Sequence, residues 1–196
     1  AGLPGEALEA WFAQTLRDGF ALEVTGIYKP FKEIASGTLK SLFAARAFSV
    51  DPETMESILG GFSELAPHPD AATAFNKLHE ADIRIVTLTN GSATVTQKLL
   101  QNAGLEKFVE RTISIDEIRQ WKPRRDVYLH AASCASVEPE RLALVATHPW
   151  DIHGAARAGL ITGFVARGKP FPTVMAQPDC IGDTLADVAA KLLNLS

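Results

Sequence analysis

Apolar residues recur every three or four positions between Leu8 and Leu22, at Leu8, Trp11, Phe12, Leu16 and Phe20. That spacing puts one greasy stripe on a helix. Phe31, Ile34, Leu39, Leu42, Phe43 and Ala47 draw a second helical face. Asp51-Pro52 opens a third helix, with aspartate as N-cap and proline at the first helical position. Pro67-His68-Pro69 ends the run, because proline lacks an N–H and biases its predecessor away from helix. Residues 1–66 therefore read as a helical subdomain.

Beyond Pro67 the pattern becomes an alternation of helices with short β-branched runs. Strands are predicted at Ile83–Leu88, Thr112–Ile115, Leu142–Ala146 and Ile161–Val165. Between and after them fall helices over Ala93–Ala103 with Gly104 following, Arg125–Cys134, Ile152–Ala158 with Gly159 following, and Thr184–Leu193 opened by Asp183 or Thr184. Strands separated by helices call for a parallel sheet with right-handed crossovers, so residues 67–196 read as an α/β doubly wound, Rossmann-like core.

Composition narrows the function classes. At 196 residues, 46% hydrophobic and 21% charged, the chain has the make-up of one globular domain rather than of a disordered or disulfide-dense protein. The net charge of −4 and the absence of a basic run longer than Arg124-Arg125 argue against nucleic acid as a partner. No apolar stretch reaches the ~18 to 20 residues needed to cross a bilayer. The N-terminus carries no secretory leader pattern, so a cytoplasmic protein with no membrane partner is expected. Cys134 and Cys180 sit in neither a C-x-x-C pair nor a Cys/His cluster of metal spacing, and reduced thiols are expected, Cys134 buried on its helix and Cys180 exposed in a Pro-rich loop.

In open α/β sheets reactive groups collect at the carboxyl ends of strands. The first strand runs into Thr89-Asn90-Gly91-Ser92, a hydroxyl, an amide and a turn glycine before a helix N-terminus, where free N–H groups favour an anion; a plain N-cap with a turn glycine is the alternative. Trp121-Lys122-Pro123 precedes the next helix and can aim a lysine inward, although a lysine there is more often solvated. The third end, Ala146-Thr-His148-Pro-Trp150-Asp151-Ile-His153, is the densest polar cluster, where Asp151 could orient His148, hold Lys122, or simply cap its helix. His153 is the weaker histidine. A metal at this end is disfavoured, because no second acid follows Asp151 within seven residues, and no cofactor is expected.

Taken together, Thr-Leu-Thr89-Asn90-Gly-Ser92, Trp-Lys122-Pro123 and His148-Pro-Trp-Asp151-Ile-His-Gly-Ala155 resemble, in order and spacing, the haloacid dehalogenase superfamily and its type II 2-haloacid dehalogenase branch. The resemblance implies that residues 1–66 are a helical cap and that the reaction is metal-free. By the same resemblance, an aspartate would displace halide from C2 of a short 2-halo acid with inversion, and water would cleave the resulting ester. It implies that Thr89 and Asn90 hold the substrate carboxylate and that Lys122 positions and charge-balances the nucleophile. Asp151 pairs with Lys122 or helps activate water, with His148 beside it, and Tyr128 and Trp150 line the pocket. A small carboxylate substrate and a homodimer are the implied partners, Trp11 and Phe12 serving an interface as easily as a core.

The chain departs from that pattern in three places. The Asp-x-x-x-Thr strand that bears the nucleophile is not in the sequence, and Phe12 falls where the family has an arginine for the leaving halide. Ala146 and His148 stand where a serine and an asparagine are usual. In this fold the nucleophile strand lies between the strands at Ile83 and Leu142, so the sequence is expected to be a fragment of a longer polypeptide. A magnesium-dependent phosphatase of the same superfamily and a non-catalytic carboxylate-binding homologue are the alternatives.

Overall fold

A computed structural model describes residues 5–195 of the chain. Helices α1 (Glu6–Val24), α2 (Phe31–Ala45) and α3 (Pro52–Gly60) come first, followed by a 3-10 turn at Gly61–Glu64. Asp51 caps α3 as its position predicts, its Oδ1 accepting from the Thr54 N–H at 2.8 Å. The three helices close on a core of Trp11, Ala35, Leu39, Leu42, Phe43, Met55 and Leu59.

The stripe of α1 is displaced from the predicted one. Its buried line is Ala7, Trp11, Thr15, Gly19 and Glu23, while Leu8 is 62% exposed. Small and hydrogen-bonding residues win this line because α2 and the Trp121 segment approach α1 closely. The Trp11 indole N–H donates to Ala35 O at 2.9 Å, and the Thr15 and Thr38 hydroxyls meet at 2.8 Å. A Cβ on Gly19 would lie 2.7 Å from the Trp121 ring. The Trp121 N–H donates to Glu23 Oε2 and its indole N–H to Lys29 O, each at 2.8 Å, which fastens this edge of the helical layer. At the opposite edge the 3-10 turn meets the helix after the first strand through the exposed pair Lys98–Glu64 and an Asn102-to-Ser63 O bond of 3.3 Å.

The remainder alternates strands and helices: α4 (Ala71–Glu80), β1 (Ile85–Thr89), α5 (Ala93–Asn102), β2 (Val109–Ser114), α6 (Arg125–Ala135), β3 (Ala143–Ala146), α7 (Pro149–Ala158), β4 (Ile161–Val165), β5 (Cys180–Gly182) and α8 (Leu185–Leu192). Every pairing is parallel. Among the described residues the strands form two sheets, β1-β2 and β3-β4-β5, rather than one. The division falls between β1 and β3, where sequence reasoning places a further strand. Leu88 on β1 and Leu144 on β3 nevertheless pack on one cluster, formed by Tyr128, Ala155, Ala158 and Leu160.

Helix α4 and strand β5 were not expected. β5 places Cys180 in a strand and half-buried, not in an exposed loop, and Cys134 is likewise half-buried rather than buried. Trp11 is 3% exposed in the core and so unavailable for an interface. Among the described residues no helix is long and apolar enough to cross a membrane.

Candidate active site

Three segments converge where β1 and β3 end. Thr89 is the last residue of β1, and its hydroxyl accepts from the Gly91 N–H at 2.9 Å, turning the chain into α5, whose N-cap is Ser92. Asn90 is buried, its Oδ1 accepting from the Lys122 N–H at 3.1 Å. The Asn90 Nδ2 has no partner among the described residues. A buried donor of this kind costs roughly 1–3 kcal/mol unless an acceptor reaches it.

The Lys122 side chain is 7% exposed, and its ammonium donates to Asp151 Oδ2 at 2.7 Å and to Leu88 O at 3.0 Å. The solvated alternative for this lysine is thereby set aside. Asp151 is not a helix cap, since α7 begins at Pro149 with His148 as its N-cap and places Asp151 in the first turn. There its two oxygens separate, one toward Lys122 and Oδ1 toward the Tyr128 hydroxyl at 2.8 Å. Tyr128 is fully buried behind Asp151 and does not line the cavity, which corrects its expected place. Burial, and then the neighbouring carboxylate, raise the Tyr128 pKa far above the ordinary phenol, so it remains a proton donor to Asp151. Gly154 permits this packing, because a Cβ there would sit 2.6 Å from both Pro123 Cβ and the Tyr128 hydroxyl.

These groups form the polar end of a cavity of about 420 Å³. Thr89, Asn90, Ser92, Lys122, His148, Trp150 and Asp151 all line it, and its other walls are apolar, with Phe12, Leu16, Phe31, Leu59, Phe62 and Leu99. Phe12, Lys122, His148 and Trp150 make a short aromatic and cationic stack: ring centroids lie 5.8 Å apart for Phe12 and His148 and 5.4 Å for His148 and Trp150, and the Lys122 ammonium is 5.9 Å from the Trp150 ring. Burial lowers the His148 pKa below its ordinary value, so the imidazole is neutral at pH 7. His153 turns away, its Nδ1 accepting from the Ala176 N–H at 3.0 Å and anchoring a loop. Two further charged groups, Lys32 and Asp116, line the cavity without having been singled out in the sequence. Lys32, on α2, is revealed only by three-dimensional placement, whereas Asp116 lies in the turn that directly follows β2, a strand end whose polar residues could have been read from the sequence.

A buried ammonium beside a carboxylate, an unpartnered amide N–H and a helix N-terminus are groups that can receive an acid and charge-balance a carboxylate nucleophile. Residues 7–159 match the model of the haloacid dehalogenase-like hydrolases. The chain belongs to that family. Among the relatives of this hydrolase, (S)-2-haloacid dehalogenase 1 of Pseudomonas sp. (strain CBS-3) is 28% identical over 100% of the chain and 86% of its own length. (S)-2-haloacid dehalogenase 4A of Burkholderia cepacia is 26% identical over 86% of the chain and 74% of its own. The hydrolase also shares its fold with the L-2-haloacid dehalogenase of Xanthobacter autotrophicus, solved with chloropropionic acid covalently bound, at a TM-score of 0.90 and 22% identity over 98% of this chain and 89% of that one.

Proposed function

We propose that this cavity hydrolyses the carbon–halogen bond of a short 2-halo acid. The observation that carries the reading is the Lys122 ammonium held between Leu88 O and Asp151, near the carboxyl ends of β1 and β3. The nucleophile in this reading is an aspartate on a strand lying between β1 and β3. Its carboxylate attacks C2 and expels halide, forming an ester; water then adds to the ester carbonyl, the 2-hydroxy acid leaves, and one proton is released. Lys122 fixes and charge-balances the attacking carboxylate, while Asn90 Nδ2, Thr89 and the α5 N-terminus receive the substrate carboxylate. Asp151, steadied by Tyr128, holds the ammonium in place, and neutral His148 is positioned to accept a proton from the hydrolytic water. Trp150 and Phe12 pack against the halogen-bearing carbon.

Halide release from (S)-2-chloropropionate by the complete polypeptide tests the proposal, together with intact-mass detection of a 1-carboxyethyl ester on the nucleophile in the His148→Ala variant, in which hydrolysis of the ester is slowed. Chloride and the ester mass are expected. Release of phosphate from an aryl phosphate only with magnesium, without chloride, would establish the phosphatase instead, and substrate binding without turnover the non-catalytic homologue. The same reading divides the protein into a cap over 1–66 and a core over 67–196, and places it in the cytoplasm as a homodimer. Two free thiols support the compartment. Sedimentation equilibrium decides the dimer.

A further inference from the structure

Outside the cavity, Glu117, His130 and Cys134 bring one ligand atom each to within 4.8 Å of one another. None of the three lines the cavity. His130 and Cys134 are four residues apart on α6 and so share a face of that helix. Glu117 closes the group from the 3-10 turn at Ile115–Glu117, where its Oε1 is already held by the Ser114 N–H at 3.1 Å. We propose that these three side chains form a zinc-type site.

Donor chemistry and spacing both support the assignment. Thiolate, imidazole and carboxylate are ligands zinc accepts together, at roughly 2.0–2.3 Å each, which in a tetrahedron sets ligands about 3.4–3.7 Å apart. His130 Nε2 lies 3.0 Å from Glu117 Oε2 and 3.5 Å from Cys134 Sγ, so these two pairs need shifts of only a few tenths of an ångström, while the Glu117–Cys134 pair, within 4.8 Å, closes by up to about an ångström as the Glu117 side chain swings in. Without a cation the single Nε2 atom can donate to Glu117 or accept from the Cys134 thiol, and not both at once. A metal ion satisfies all three atoms at once. Zinc takes the thiolate form of Cys134 and releases the thiol proton to solvent, and a water completes the tetrahedron. Arg111, 3.0 Å from Glu117 Oε2, remains as an outer partner of the carboxylate. The bound ion would tie the 3-10 turn to α6 and so bracket residues 118–124, the segment that carries Lys122.

Cobalt titration of the reduced, chelator-treated protein tests the site. A thiolate-to-cobalt charge-transfer band is expected, displaced by zinc, lost in Cys134→Ser and His130→Ala, retained in Cys180→Ser, and shifted to about tenfold weaker binding in Glu117→Gln. In the unsubstituted protein, zinc should slow alkylation of Cys134 by iodoacetamide at least tenfold and leave Cys180 unchanged, a readout that no folding defect can mimic. Absence of the band, its survival in Cys134→Ser, or equal alkylation of Cys134 with and without zinc would overturn the proposal.

Discussion

Replacing Lys122 with methionine leaves Asp151 buried with one oxygen still bonded to Tyr128 and the other without its cation, the side chain of each ion-pair member being under 8% exposed. Breaking such a pair from one side costs about 3–5 kcal/mol, because the remaining charge keeps its desolvation penalty and loses its compensation. For a chain of this size a kilocalorie moves the melting midpoint by about 2–4 °C, so Lys122→Met should melt roughly 6–20 °C lower. Asp151→Asn alone should cost a similar amount. The double variant, with neither charge, should recover at least about 2 kcal/mol of the sum. Urea unfolding followed by far-UV circular dichroism measures the cycle, with halide release recorded in parallel. Stability should return in the double variant while turnover does not, separating the electrostatic role of the pair from its chemical one. Additivity within about 0.5 kcal/mol would refute the coupling argued from the 2.7 Å contact.

Other substitutions probe the packing behind the site and at its edges. Gly154→Ala drives a methyl into Pro123 and Tyr128 and should cost about 1–3 kcal/mol by overpacking and depress turnover, whereas Gly37→Ala, on an open helix surface, should stabilise by about 0.5–1 kcal/mol; equal effects in thermal melts would sink the contrast. Burial holds the His148 pKa down in the folded state, so its contribution to stability is present above the unfolded value near 6.5 and is lost as pH falls below it. His148→Asn should flatten that part of the stability-versus-pH curve, and an unchanged curve would contradict the burial argument. Asp70 joins Arg167 at 3.0 Å and accepts from the Leu185 N–H at 2.5 Å at the start of α8, so Asp70→Ala should cost about 2 kcal/mol, read as a lowered urea midpoint.

Local chemistry made most elements legible in advance. Helix ends followed their caps: Asp51 before α3, Thr184 before α8, and left-handed Gly104 and Gly159 after α5 and α7. Helix α4 escaped notice because its buried positions are alanines, Ala71 and Ala74, which give little hydrophobic contrast. Strand β5 is three residues long, too short for a period to register. The α1 stripe misled because burial there follows close approach rather than hydrophobicity, so Thr15 and Gly19 went inside and Leu8 outside. At the site, the strand-end rule pointed to Asn90 and Asp151, each in a polar run after an apolar one, and to Lys122 ahead of α6, and the structure brings the three together. Glu117, His130 and Cys134 were not strand-end residues: His130 and Cys134 stand at helical i, i+4 spacing on α6, but the carboxylate comes from a turn thirteen residues before the imidazole, and only the fold brings it to them.

The two fastenings of the helical layer are unequal in kind. At Trp121 the ring is fully buried over Gly19 and makes two hydrogen bonds, whereas the Lys98–Glu64 contact is about half-exposed on both side chains. Any opening of the cavity should therefore be one-sided, pivoting at the buried tryptophan and parting at the solvated ion pair, whose chain neighbours Leu65 and Leu99 line the cavity. Salt weakens the Lys98–Glu64 side most, since the Trp121 side rests on a buried ring and two hydrogen bonds beside its own Arg124–Glu23 pair. Rising ionic strength should then quicken the release of a bound acid without loosening the pivot, so the rate of product escape and the global stability of the protein respond to the same salt by different amounts.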